Sequence, residues 1–190
     1  MRFTRLLAVL AMAGGVIGFT APTASASTSD TLPYRNPLRS IHSLKDGRID
    51  QGVDYSGSGP VHALGNGTVL NLQNEGWPDG TFISYRLANG PAAGYVVYVA
   101  ENVTPSVSKG QHVTSNTVIG TLHHAYPNME IGWSAKAGTG YAMCHRGYVE
   151  GHSTRCGLNM NKLLVILGAP SGYKQHGYVT GSLPPGFPTW

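Results

Sequence analysis

Alternation of apolar and polar residues at period two dominates the middle of this chain, and helical spacing is confined to one stretch near its end. Thr81 to Leu87 (TFISYRL) alternates as a half-buried strand does, and Tyr95 to Ala100 (YVVYVA) is a β-branched and aromatic run suited to a central strand. Shorter strands are predicted over Gly52 to Tyr55, Val61 to Ala63 and Thr68 to Leu72. A turn at Ser56 to Gly59 and the tight-turn pair Asn66-Gly67 separate them. Pro105 to Ile119 reads as a hairpin and Met129 to Trp133 as a further strand. Met160 to Leu167 is the one helix predicted, stopped by Gly168-Ala169-Pro170. Gly-containing loops join the runs, which favours antiparallel pairing. The fold class is therefore mostly β: an antiparallel sandwich or barrel-like sheet with one short C-terminal helix.

A different pattern marks the start. Arg2 and Arg5 precede an uncharged apolar run from Leu6 to Phe19, and Ala24-Ser25-Ala26 supplies the small residues of a cleavage site. Residues 1–26 thus read as a secretory signal peptide. The apolar run is too short for a comfortable membrane span, and no later stretch serves as one, so no transmembrane segment is expected. Residues 27–36 read as a flexible N-terminal segment and 37–134 as the β domain. Residues 135–190 read as a loop-rich extension that carries the cysteines and the helix and packs on the same domain; its tail, Leu183 to Trp190, is expected to be a surface strap. The expected product is a secreted, extracellular monomer, free or held at a cell wall.

Charge narrows the partners. The chain has 13 basic and 9 acidic residues, and the signal removes two of the basic ones, so the high pI is in part a property of the leader. That balance excludes a strong nucleic-acid footprint. With 26 Gly and 10 Tyr, the composition is that of a turn-rich extracellular β protein. Cys144 and Cys156 are the only cysteines; outside the cell they are expected to form a disulfide. A Cys/His metal site with His145 and His152 is the alternative, although the spacing matches no zinc module.

The stretch Ile49 to Val69 (IDQGVDYSGSGPVHALGNGTV) carries a specific frame. Gln51, Gly52, Asp54, Gly59, Pro60, Val61, Ala63, Gly67 and Val69 fall in order on a His-x-G-x-D, Gly-rich turn, P-V-x-A, G-x-V pattern. It resembles the opening of the lysostaphin-type peptidoglycan zinc endopeptidases, and the V-x-x-G-Q-x-V cadence in Pro105 to Ile119 is similar to their hairpin. The resemblance covers about Pro37 to Ser134. It implies a peptidase-like β domain, peptidoglycan as substrate class, and zinc held by three protein donors with an open position for water.

Residue by residue, the resemblance implies a degenerate metal site. Gln51 stands at the first His ligand position, and Asp54 matches the Asp ligand. Ala100 replaces the His that follows Tyr98, and Tyr126 and Asn128 stand at the two positions of the later H-x-H. His123 and His124 lie just upstream and offer at most one inward ring, because neighbours on a strand face opposite sides. His62 and His112 read as surface residues.

What remains in the groove is acidic and aromatic. Asp54 and Glu130 are expected on one face, with Glu101 at opposite parity; as a pair the first two are candidates for acid–base chemistry on a glycosidic bond. With the Gln51 and Asn128 amides they are also candidates for holding calcium. The bland alternative is that they solvate a groove. Trp77, Tyr85, Tyr141 and above all Trp133 are candidate groove rings, with Tyr98 and Tyr126.

The reading these features support is a secreted bacterial pseudoenzyme with no catalytic residue and no cofactor, binding peptidoglycan or a cell-wall protein through Gln51, Asp54, Tyr98, Tyr126, Asn128, Glu130 and Trp133. The alternative is an active wall hydrolase, either a zinc metalloendopeptidase with substituted ligands or a glycan hydrolase using Asp54 and Glu130.

Overall fold

A computed structural model describes residues 32–73, 77, 81–123, 129–135 and 140–190. Ten strands and one helix are found among them: β1 (His42–Ile49), β2 (Val53–His62), β3 (Gly67–Gln73), β4 (Phe82–Leu87), β5 (Val96–Ala100), β6 (Val103–Pro105), β7 (His112–Val113), β8 (Val118–Leu122), β9 (Met129–Trp133), α1 (Arg155–Ile166) and β10 (Tyr173–Lys174). The sheet runs β10-β1-β2-β9-β5-β4-β3-β7, and β8 joins it by pairing with both β2 and β6. Every pairing is antiparallel except β1 with β10. The result is a curled, half-barrel antiparallel sheet with one short helix near the C-terminus, as the alternation predicted.

Period two decides what each face carries. Val53, Tyr55, Val97, Val99, Ile131 and Trp133 leave β2, β5 and β9 toward the main core, where they meet Met160, Leu163 and Leu164 of α1. The intervening residues Asp54, Tyr98 and Glu130 leave the same strands from the other face. Phe82, Tyr98, Ala100 and Ala142 form a second, small apolar cluster, with Trp77 packed against it.

Three elements differ from the sequence expectation. Ser56 to Gly59 is not a turn: β2 is one strand of ten residues running through it. Pairing explains the continuity, since β1 holds the first half of β2 and β8 the second. Gly57 makes the crowding tolerable; a Cβ there would lie 2.5 Å from Ile41 Cγ2 and 2.7 Å from the His42 carbonyl oxygen. Strand β1 is absent from the sequence expectation because half of its residues are polar and exposed, so no alternation announces it.

Helix α1 begins earlier than its apolar run. Thr154 caps it, accepting a hydrogen bond from Gly157 N at 2.9 Å. The weak helix formers Gly157, Asn159 and Asn161 hid its first turns, and Leu167 is the C-cap rather than a helical residue. The C-terminal tail lies along the surface as a strap. Phe187 is buried, its ring 4.3 Å from Tyr95 and 5.1 Å from Trp133. Trp190 meets Tyr34 edge-on at 6.2 Å.

Candidate functional site

Strand register builds the site. Asp54 on β2 is the direct partner of Glu130 on β9, and Ala100 on β5 pairs with Glu130 from the other side. Side chains of cross-strand partners share a face, so the two carboxylates emerge together. Asp50, in the bend between β1 and β2, is the third: ligand oxygens of Asp50, Asp54 and Glu130 all lie within 4.8 Å of one another. All three residues are buried.

One cation joins them. Arg48 Nε donates to Asp54 Oδ2 at 2.9 Å and lies 3.0 Å from Asp50 Oδ2, while its Nη1 contacts Glu150 Oε1 at 2.8 Å. Glu130 is held from the other side, where the Tyr98 hydroxyl donates to Glu130 Oε1. Gly52 leaves room for this contact. A Cβ at that position would fall 2.8 Å from both Glu130 Oε1 and the Tyr98 oxygen.

Three carboxyls against one guanidinium cannot all ionise at the usual pH. Burial, then the charges of Asp50 and Asp54, push Glu130 well above the ordinary glutamate range. Burial and the neighbouring Asp50 push Asp54 up to about 7, with Arg48 opposing. Burial raises Asp50 too, and Arg48 again opposes. Asp50 and Glu130 share a hydrogen bond. With Glu130 the protonated member, it donates and the Asp50 carboxylate accepts. Arg48 is held firmly charged, since its carboxylate partners outweigh the effect of burial.

Above the cluster lies a cleft of about 190 Å³ lined by Arg48, Asp50, Glu130 and Glu101 together with side chains from the C-terminal extension. That extension supplies one wall. His145 Nδ1 lies 3.0 Å from Gln51 Oε1, the Tyr148 hydroxyl donates to Glu150 Oε2 at 2.8 Å, and Tyr141 stacks on His145 with centroids 4.9 Å apart. The Cys144–Cys156 disulfide ties this wall to α1, as expected for an oxidising compartment; the Cys/His metal alternative is set aside by it. Trp77 closes the far side, its Nε1 donating to the Gly140 carbonyl at 2.8 Å. Glu101 enters from the β5–β6 turn with φ of 66°, followed by Asn102 at 25°. Such left-handed conformations are uncommon outside glycine.

The residues expected in the groove divide. Gln51, Asp54, Tyr98 and Glu130 are brought together. Tyr126 and Asn128, with His124, fall outside the described residues. Trp133 is a correction: it points to the opposite face, fully buried, with Nε1 donating to Asn159 Oδ1 at 2.9 Å. Its odd parity relative to Glu130 is the reason. Tyr85 is likewise a core residue, its hydroxyl accepting from Leu64 N. His123 is exposed, 2.7 Å from Thr104 Oγ1; His112 is exposed in β7. His62 is half-buried and lies 3.1 Å from Ser40 Oγ. Arg48, Asp50, Tyr148 and Glu150 were not foreseen. The R-x-D-x-x-x-D spacing of 48, 50 and 54 was the available signal for the first two.

Zinc, implied by the resemblance, does not fit the donors among the described residues. They are carboxylate oxygens, two of them bridged by a guanidinium, whereas zinc sites of this kind draw on imidazole nitrogen or thiolate. Oxygen donors suit calcium better in type, but Arg48 already supplies positive charge at the point they share. Among the described residues, no helix is long and apolar enough to cross a membrane.

No family model matches the chain and no curated protein matches it. Among solved structures it is similar to lysostaphin in solution, at 14% identity and a TM-score of 0.47, over 79% of this chain and 60% of that one. It is also similar to a candidate M23 peptidase from Pseudomonas aeruginosa, at 18% identity and a TM-score of 0.41, over 54% of this chain and 44% of that one. The chain thus spans less than two thirds of either, and the likeness is one of structure at low sequence identity.

Proposed function

We propose that this protein is an exported, wall-associated recognition protein that binds peptidoglycan, or a protein embedded in it, through the cleft over Asp54 and Glu130 and performs no zinc hydrolysis. One observation carries the reading. Asp54, at the position of the family's Asp ligand, is committed to Arg48 at 2.9 Å. A metal there would have to displace a guanidinium that also holds Asp50 and Glu150. Like charges that close cost several kcal/mol in a partly buried site, on the order of 4 kcal/mol for unit charges 4 Å apart at an effective dielectric of 20. The secretion-like leader and the paired cysteines support an extracellular setting.

The test is retention of the purified protein on isolated sacculi, with a zymogram on the same walls and metal analysis of the protein. Retention without lysis is the expected outcome. Lysis that a chelator abolishes, with stoichiometric zinc, overturns it.

A second reading, hydrolysis by carboxylates alone, is favoured by one specific feature: Glu130 is a buried acid hydrogen-bonded to Asp50, next to the titrating Asp54. An acid and a base at unlike pKa are what glycoside cleavage requires. Chelator-resistant lysis of the walls, lost in the Asp54→Asn/Glu130→Gln double variant while the fold persists, would establish this reading in place of the first.

A further inference from the structure

The exposed large apolar side chains are not scattered over the surface. Among the described residues, Tyr141, Val149, Tyr173 and Tyr178 fall in the segments that wall and flank the cleft, and only Val165 lies elsewhere, on α1. Single exposed apolar residues need no explanation, but a clustered set marks a contact surface. Three of the four are tyrosines, 55%, 60% and 69% exposed.

Each ring is held in place. Tyr141 lies nearly parallel to the His145 imidazole, and that imidazole is itself fixed at Gln51. Tyr178 leans on His152 with centroids 4.4 Å apart, and His152 Nδ1 lies 3.0 Å from the Tyr178 carbonyl oxygen. Tyr173 is the parallel-sheet partner of Arg48, so its side chain leaves the ladder on the face of the guanidinium. Half-buried Tyr148 lines the cleft, bound to the Glu150 that Arg48 also holds. Trp77, Tyr141, Tyr148 and Arg48 therefore line the cleft, Tyr173 adjoins it as the ladder partner of Arg48, and Tyr178 packs on His152. These rings stand beside imidazoles, a carboxylate and a guanidinium.

We propose that this rim is a track for a neutral chain of N-acetylated amino sugars, and that the protein reads the glycan strand of the wall rather than its peptides. The proposal rests on the wall-binding reading above and names its ligand. Pyranose rings present flat C–H faces to aromatic planes and hydroxyls and amides to their edges, which matches fixed rings flanked by hydrogen-bonding groups. Charge selects among polymers. Among the described residues, Asp50, Glu101 and Glu150 line the cleft with carboxylates and Glu130 with a protonated acid, against Arg48 as the one Arg or Lys in the lining. That field disfavours wall polyphosphates and the carboxylates of stem peptides, and it leaves a neutral sugar chain unopposed.

Binding is measured by calorimetry on the full mature chain with three probes: an N-acetylglucosamine hexamer, a soluble stem peptide, and intact sacculi by pull-down. The hexamer and the sacculi are expected to bind and the peptide not. Tyr173→Ala/Tyr178→Ala is expected to weaken hexamer binding about tenfold, a change of about 1.4 kcal/mol. Tyr173→Phe/Tyr178→Phe keeps the rings and is expected to keep the affinity, which separates stacking from loss of fold. Retention on sacculi with no affinity for the hexamer overturns the glycan assignment and leaves wall binding standing. Absence of binding to sacculi overturns both. Hexamer binding that the double alanine variant does not alter overturns the role of the rim.

Discussion

Asp54 stands directly opposite Glu130 in the β2–β9 ladder, and both side chains leave the sheet on its polar face. This pairing places two acids where adjacent ionised carboxylates would repel, in a buried setting that penalises either charge. The cluster is consequently a store of bound protons, and it sets how the protein responds to pH and to the loss of its single arginine.

Stability is expected to fall as pH rises. Asp54 is pushed up to about 7 in the folded chain against its ordinary 3.8, and Glu130 is also raised well above its ordinary range. The folded form therefore holds more protons than the unfolded form between those values, so raising pH favours unfolding. The stability tied to Asp54 is fully present below about pH 4 and is lost as pH passes through 7. Urea titrations at pH 5 and pH 8 should show the midpoint lower at pH 8. In Asp54→Asn/Glu130→Gln that difference should shrink; an unchanged slope would place these protons elsewhere.

Arg48 is expected to matter far more than its outer partner. Its side chain is 39% exposed, while Asp50 and Asp54 are nearly covered and Glu150 is 73% exposed. Removing the guanidinium leaves buried carboxylates without their counter-charge. Screening by solvent reduces the full cost of breaking a buried pair, so Arg48→Gln should destabilise by roughly 1–3 kcal/mol at pH 7. Glu150→Gln should cost about 0.5 kcal/mol or less. At pH 5 the Arg48→Gln penalty should be smaller, because protons replace the missing cation. Paired denaturation curves at both pH values check all three expectations.

How much of this was legible in the chain follows from which signals are local. Alternation in TFISYRL is a two-residue property, and the β-branched and aromatic character of YVVYVA is as local; these signals located β4 and β5. Asp54 and Glu130 were expected on one face through the resemblance, which set Asp54 and Asn128 in the groove and gave Glu130 the parity of Asn128; in the ladder the two acids are direct partners. Trp133 was misplaced because it was judged by its position at a strand end, whereas its parity opposes Glu130 and sends it into the core. Arg48 and Asp50 lie in a polar strand and bend with no hydrophobic period to place them. Tyr148, Glu150 and His145 reach the cleft only because the extension folds back across it, and that return is written in no local pattern. Ser56 to Gly59 looked like a turn because its glycines are turn formers; the strands on either side of it make them extended.

Cys144 and Cys156 close a loop of sequence separation 12, and the loop carries the cleft wall. Cys144→Ser/Cys156→Ser is expected to cost about 3 kcal/mol in the chain-entropy account. The more specific expectation is spatial. Apart from Met143, whose N–H donates to the Trp133 carbonyl at 2.7 Å beside the Ser134–Ala142 bridge, the wall meets the sheet through side chains, such as His145 to Gln51 and Glu150 to Arg48. Amide exchange over residues 141–153 should therefore accelerate well before that of β5 and β9, which lie in the centre of the ladder. Uniform acceleration across the chain would make the disulfide a global staple instead.

Asn159 offers the cleanest test of the core on the opposite face. Its Oδ1 accepts from Trp133 Nε1 at 2.9 Å and from Trp190 Nε1 at 3.2 Å, and its Nδ2 donates to the Pro188 carbonyl at 2.9 Å. One side chain thus joins the helix, strand β9 and the C-terminal strap. In Asn159→Ala the fully buried Trp133 N–H has no acceptor, and an orphaned buried donor costs about 1–3 kcal/mol. Asn159→Asp keeps an acceptor for the Trp133 indole but sets a carboxylate oxygen against the Pro188 carbonyl in place of the donor, so it should retain the Trp133 contact while that repulsion releases the strap with Trp190. Tryptophan emission should shift to the red in both variants if Trp190 becomes wet on release. Adding Trp190→Phe should abolish that shift in Asn159→Asp, because Trp133 stays in the core with Met160, Leu163 and Leu164 of α1 when the strap leaves. A persistent shift in the double variant would mean that the strap is not what Asn159 secures.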